Sequence, residues 1–134
     1  MDARQRRVHG AAMQLREALT DKCPRCGAAF VDFSGCCALK CHRCPCHFCA
    51  WCLADCGGDA HRHVANCQRN LAPGRNVFAS EALWQQGRRQ QRQESVMALL
   101  QPLPADEARS VVDEVRQELL DVGLQAVVAD FAPM

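Results

Sequence analysis

All eleven cysteines of this 134-residue chain fall between Cys23 and Cys67, and four of its five histidines share that window. No other feature limits the fold so strongly. Cysteines serving as small apolar core residues would be spread along the chain, and here none lies outside the window. The odd count, and an N-terminal stretch Met1–Gly10 with no apolar segment, weigh against a secreted disulfide framework. The spacing reads instead as metal ligation: Cys23-x2-Cys26, fourteen residues, Cys41-x2-Cys44, four residues, Cys49-x2-Cys52, then His61-x-His63-x3-Cys67. A Cys-x2-Cys turn aims two thiolates at one point, about 2.3 Å from a shared Zn²⁺, and two such pairs complete a tetrahedron.

The simplest assignment makes Cys23, Cys26, Cys41 and Cys44 a closed four-cysteine site with no position left for water, hence structural. Cys49 and Cys52 begin a second site. His63 and Cys67 are four residues apart, on one face of a helix, and would complete it as three cysteines and one histidine. Spacing leaves alternatives open: His61 in place of His63, Cys56 in place of Cys67, or a cross-braced arrangement in which the first and third pairs share a metal. Two Zn²⁺ ions are the implied cofactors. Each structural zinc adds on the order of 10–16 kcal/mol of apparent binding energy that acts as folding energy, so strong chelators should unfold the window.

Three segments follow. Residues 1–22 hold an amphipathic helix over 3–20, with Val8, Ala11, Ala12, Leu15 and Leu19 on one face, Asp2 as cap and Thr20-Asp21 as the end. Residues 23–70 are the double zinc-binding module. A hairpin arm is expected over Ala28–Phe33, closed by a Ser34-Gly35 turn, and a short helix from Ala60 to about Gln68. Residues 71–134 form a helical region. Ser80 caps a helix to about Gln101, whose middle Gly87 weakens. Pro104 opens the next helix, with Ala108, Val111, Val112, Val115 and Leu119 as its face, and Gly123 ends it. A terminal helix runs from Leu124 to Phe131. The expected class is a small zinc-stabilised α+β fold: two sequential zinc sites with short β-hairpins, flanked by α-helices.

Four cysteines remain after the ligands are assigned: Cys36, Cys37, Cys46 and Cys56. Small buried residues are the plain expectation for such thiols. Cys36 differs, because it follows Ser34-Gly35 at the tip of the arm between the two halves of the first site. An exposed thiol held near a positive centre meets the conditions for a reactive thiolate.

The string from Cys23 to Cys52 resembles the catalytic, second RING-type (Rcat, IBR-like) domain of RING-between-RING E3 ubiquitin ligases. That pattern has Cys-x2-Cys, nine residues ending in glycine, a cysteine, four residues, Cys-x2-Cys, four residues and Cys-x2-Cys. Cys23, Cys26, Gly35, Cys36, Cys41, Cys44, Cys49 and Cys52 match it, and His61 or His63 with Cys67 are similar to its closing ligands. The resemblance covers 23–67. It implies sequential rather than cross-braced zinc sites, and it gives Cys36 the role of accepting ubiquitin as a thioester and passing it to an amine. It implies ubiquitin and an E2 ubiquitin-conjugating enzyme as partners. A partner supplying a RING domain is also implied, since the first RING and in-between segments are not in these 134 residues. Many family members carry histidine two residues after the active cysteine as general base; Ala38 stands there. His42 and His47 are the candidates to replace it. Phe30, Phe33 and Trp51 either shape the surface for the ubiquitin tail or pack around the metal sites.

Two function classes therefore stand side by side. One is an E3 ubiquitin transferase acting through Cys36; the other is a non-catalytic zinc-finger module for protein–protein interaction. Nucleic-acid binding is disfavoured by a formal net charge of +1 and by the absence of a Lys/Arg cluster inside the window. The only local basic excess is Arg88, Arg89 and Arg92. No run approaches a membrane span. Unpaired thiols without an export signal point to a reducing compartment, cytoplasm or nucleus.

Overall fold

The computed structural model describes residues 1–29 and 33–132. It divides into two compact units, Asp21–Arg88 and Met1–Thr20 together with Arg89–Met134. Its described residues form a small α+β protein with one two-stranded hairpin among helices.

The helical unit is built as its sequence periodicity requires. Helix α1, Ala3–Leu19, buries Val8, Ala12, Leu15 and Leu19. Asp2 caps it: its carboxylate accepts the Gln5 N–H at 2.7 Å, and its own N–H donates to Gln5 Oε1 at 2.8 Å. That reciprocal pair satisfies two donors the first turn would otherwise leave open. Helix α4, Ala105–Glu114, starts behind Pro104, and α5, Arg116–Asp121, follows after one residue. The single helix expected here is thus interrupted at Val115 (φ −110°, ψ 17°), yet Ala108, Val111, Val112, Val115 and Leu119 are all buried in one core with Leu124 and Val127. Gly123 adopts φ +80° and ends α5: its N–H donates to Leu120 O and the Leu124 N–H to Leu119 O, so the last carbonyls are paired. The last helix is α6, Gln125–Asp130. Arg7 reaches the buried Glu107 at 2.6 Å, and Arg16 lies between Glu114 and Glu118 at 3.4 and 3.3 Å.

Helix α3, Glu81–Leu100, begins in the cysteine-rich unit and ends in the helical one. Ser80 Oγ accepts the Leu83 N–H at 3.1 Å, as a capping serine should. Gly87 in its interior has a packing reason: a Cβ there would lie 2.7 Å from two carbons of the Trp51 ring. Arg88, only 3% exposed, donates to Asp21 at 2.9 Å and to the Trp51 carbonyl at 3.0 Å. Arg92 is buried as well, so two of the three arginines in the basic cluster present no open cationic face. Among the described residues no helix is long and apolar enough to cross a membrane.

In the cysteine-rich unit, β1 (Ala38–Lys40) pairs antiparallel with β2 (His47–Cys49) in the register Ala38–Cys49, Leu39–Phe48, Lys40–His47. A further rung joins Phe48 to Asp55. Helix α2 is shorter than expected, His61–Asn66, with Cys67 closing it. The middle of the expected arm Ala28–Phe33, including Phe30 and Val31, lies outside the described residues. Its last residue, Phe33, stacks on Trp84 with centroids 4.6 Å apart and rings 4° from parallel. Trp84 donates its indole N–H to Ala50 O at 2.9 Å. Trp51 is wholly buried, which makes it a packing residue and removes it from any receiving surface.

Candidate metal centres

Three Cys-x2-Cys turns share one backbone design. The N–H of the first cysteine donates to the carbonyl five residues on: Cys23 to Ala28 at 2.8 Å, Cys41 to Cys46 at 2.9 Å and Cys49 to Ala54 at 3.2 Å. In two turns the residue after the second cysteine donates back to the first, Gly27 to Cys23 O at 3.0 Å and Leu53 to Cys49 O at 2.8 Å. Both residues sit in the left-handed region, φ +76° and +61°, natural for Gly27 and costly for Leu53. The corresponding residue of the Cys41 turn is Pro45, which has no N–H to give. The turns also direct amides onto sulfur: Arg43 N–H to Cys41 Sγ and Trp51 N–H to Cys49 Sγ, each at 3.4 Å.

These turns gather two tetrads, Cys23, Cys26, Cys41, Cys44 and Cys49, Cys52, His63, Cys67; in each, all four ligand atoms lie within 4.8 Å of one another. Cys23 Sγ and Cys44 Sγ are 3.6 Å apart, as are Cys26 Sγ and Cys41 Sγ; Cys52 Sγ is 3.2 Å from His63 Nε2. Disulfides would need about 2.05 Å. Four sulfurs each about 2.3 Å from a tetrahedral centre lie about 3.8 Å apart. The grouping is sequential, first pair with second, third pair with His63 and Cys67. His61 turns away and pairs with Asp59, and Cys56 donates to Ala54 O at 3.3 Å.

The proton affinities show why such tetrads suit a cation. Cys52 is held down to about 4 by a hydrogen bond from Cys49, with help from the Ala54 amide and His63, while that same contact and burial drive Cys49 far up. Burial opposes charge on Cys23, but the Cys26 and Arg25 amides and neighbouring thiols hold it down to about 6. Despite the Cys46 amide upon it, Cys44 is pushed up to about 12 by burial and the adjoining sulfurs. One thiolate forms at the expense of its neighbour. A divalent cation removes that conflict by taking the place of the protons. The two clusters could hold two zinc ions, and the soft tetrahedral donor sets fit that metal.

The remaining thiols fall into different surroundings. Cys37 and Cys46 are buried and both pushed up to about 11, in each case by burial first. Cys36 is half-buried; its thiol reaches the Ala38 carbonyl at 3.5 Å. It lines a cavity of about 750 Å³ bordered by Gly27, Ala28, Ala29 and Ser34 and by β1. His42 lines the same cavity. His47 pairs with Lys40 at the far end of β1 and is not among the residues lining this cavity. Phe33, stacked on Trp84, is half-buried.

Sequence reasoning did not anticipate the strap formed by Val77, Phe78 and Ala79, which pairs with Gly35–Cys37. Its only signal is a short apolar run between Asn76 and Ser80. No family model, curated protein or solved structure matches this chain.

Proposed function

We propose that this chain is a zinc-folded transfer module of the RING-between-RING kind, in which Cys36 accepts ubiquitin as a thioester from an E2 enzyme and yields it to an amine. One observation carries the reading. Of the cysteines outside the two tetrads, Cys36 occupies the family's active position, one residue after a glycine at φ +100°, and lies at the edge of an open cavity. Part of the cavity wall is small, at Gly27, Ala28, Ala29, Ser34 and Ala38, and Leu39, Lys40, His42, Arg43 and Phe48 line much of the rest. Cys23, Cys26, Cys41 and Cys44, and Cys49, Cys52, His63 and Cys67, would each hold a zinc ion that would fix the turns around β1 and supply no reacting atom. The Cys36 thiolate attacks the donor thioester carbonyl, and the demand is one of positioning because thioester exchange is nearly thermoneutral.

A second reading, a zinc-finger interaction module without chemistry, is favoured by one specific contact. Ala38 stands where the family's histidine would, and the Cys36 thiol meets the Ala38 carbonyl instead of a base. The two readings separate on a non-reducing gel. Zinc-loaded protein is mixed with a panel of ubiquitin-charged E2 enzymes beside Cys36→Ala and Cys36→Ser. A reducible ubiquitin adduct, lost in Cys36→Ala and resistant to reduction in Cys36→Ser, supports the transferase. No adduct across the panel, with a partner RING domain supplied, supports the interaction module.

A further inference from the structure

Cys36 and Phe78 stand opposite each other across an antiparallel pairing. The Cys37 N–H donates to Val77 O at 2.7 Å and the Ala79 N–H to Gly35 O at 2.9 Å, which makes Cys36 and Phe78 the rung between two bonded rungs. At such a rung the facing residues share no backbone bond, their Cα atoms are about 4.5 Å apart, and their side chains leave the same face. The strap is fixed on both sides of Phe78. Asn76 Oδ1 accepts the Phe78 N–H at 3.0 Å, the Asn70 amide holds the Asn76 carbonyl at 3.2 Å, and Ser80 caps α3 immediately after. Phe78 is nevertheless 63% exposed, while the neighbouring Trp51 and Trp84 are buried. Among the described residues of 21–88 it is the large apolar side chain left open to solvent, and its backbone stands opposite that of Cys36.

We propose that Phe78 is a specificity-determining residue for acyl transfer to Cys36: its ring covers an apolar side chain of the donor's extended C-terminal segment, close to the reacting carbonyl. The inference rests on the reading of Cys36 as acceptor. In the step itself, the Cys36 sulfur forms a bond to the donor carbonyl carbon and the bond from that carbon to the donor sulfur breaks. The leaving thiolate takes a proton from solvent, and nothing is oxidised or reduced. Phe78 contributes apolar contact that a two-carbon acyl group cannot make.

The test compares wild type, Phe78→Ala and Phe78→Leu, all zinc-loaded. Two donors are used, ubiquitin and acetyl, each as the thioester of one small thiol. Acylation is read at the Cys36 peptide by mass spectrometry. Phe78→Ala should slow ubiquitin uptake about tenfold, leave acetyl uptake unchanged, and be largely restored by Phe78→Leu. Equal ubiquitin rates in wild type and Phe78→Ala would overturn the role of Phe78 while leaving the acceptor reading intact. Equal slowing of both donors would also overturn it, because the residue would then be acting on the thiol and not on the donor. Acetyl uptake with no ubiquitin uptake in wild type would instead sink the acceptor reading, and this inference with it.

Discussion

Residues 21–88 hold every cysteine and both tryptophans, whereas the helices of 1–20 and 89–134 hold neither. The helical unit is closed by valine, leucine and alanine: Val8, Leu15, Val96, Leu100, Val111, Leu119 and Leu124 are all buried together. The cysteine-rich unit has only a modest apolar cluster around Trp51, Val64 and Trp84, and much of what it buries is thiol. Similar lengths of chain are thus ordered by different means. Where apolar residues recur every three or four positions, burial suffices. Where the chain is mostly turns, a few soft ligands must supply what the core lacks.

The sharpest way to break this contrast is to deny the two clusters a metal. A strong chelator with a thiol reductant should abolish the tryptophan near-ultraviolet signal, which arises only from 21–88, since each structural zinc contributes on the order of 10–16 kcal/mol. Far-ultraviolet helicity from α1 and α4–α6 should persist, and two equivalents of zinc should restore the tryptophan signal. Loss of both signals in one step would show that the units are a single cooperative structure.

The converse perturbation is Leu15→Ala, at a fully buried position of α1. It should cost about 2–5 kcal/mol. The helical signal should lose stability in denaturant, with zinc content still two per chain. A fall in zinc content would mean that the helices support the metal centres.

Gly87→Ala tests a conflict between local and tertiary preference. In an isolated helix alanine is better by about 1 kcal/mol. Here the added carbon meets the Trp51 ring at 2.7 Å, and a buried ring cannot step aside cheaply. Net destabilisation of about 1–3 kcal/mol is expected, followed by tryptophan fluorescence in a denaturant titration. Stabilisation would show that Trp51 is free to shift.

The smallest effect is electrostatic. Arg4 holds the Asp106 carboxyl below its ordinary value. Its contribution is therefore present above the unfolded-state pKa and lost as pH falls through the folded-state one. Asp106→Asn should make the acid limb of the helical signal shallower, and salt should erase the difference, because the pair is exposed. The metal centres should respond to acid sooner, as protons compete for the thiolates.

Much of the molecule was legible along the chain because the information is local. Asp2 and Gln5 are three residues apart, and their capping box needs nothing else. Gly123 ends a helix because φ +80° suits glycine. The Cys-x2-Cys pairs converge because the turn between them is short. Spacing alone left open which histidine joins the second cluster. Residues 61 and 63 lie about 200° apart around a helix, so one faces the sulfurs only when the other does not. The burial of Val64 fixes the rotation of α2, and His63 is the one brought to Cys52. The same holds for Gly87 beneath Trp51, Arg88 against Asp21, and Phe78 opposite Cys36. Each joins residues roughly 35 to 70 positions apart, and such pairs have no periodicity or cap to announce them. The Cys-x2-Cys pairs, and most of the helices with their caps, are written into the order of residues, since propensity, capping and turn chemistry act within a few positions. Which thiols are buried, and which one outside the two clusters stands at an open cavity and opposite Phe78, was settled by the folded chain, because burial depends on what distant segments cover.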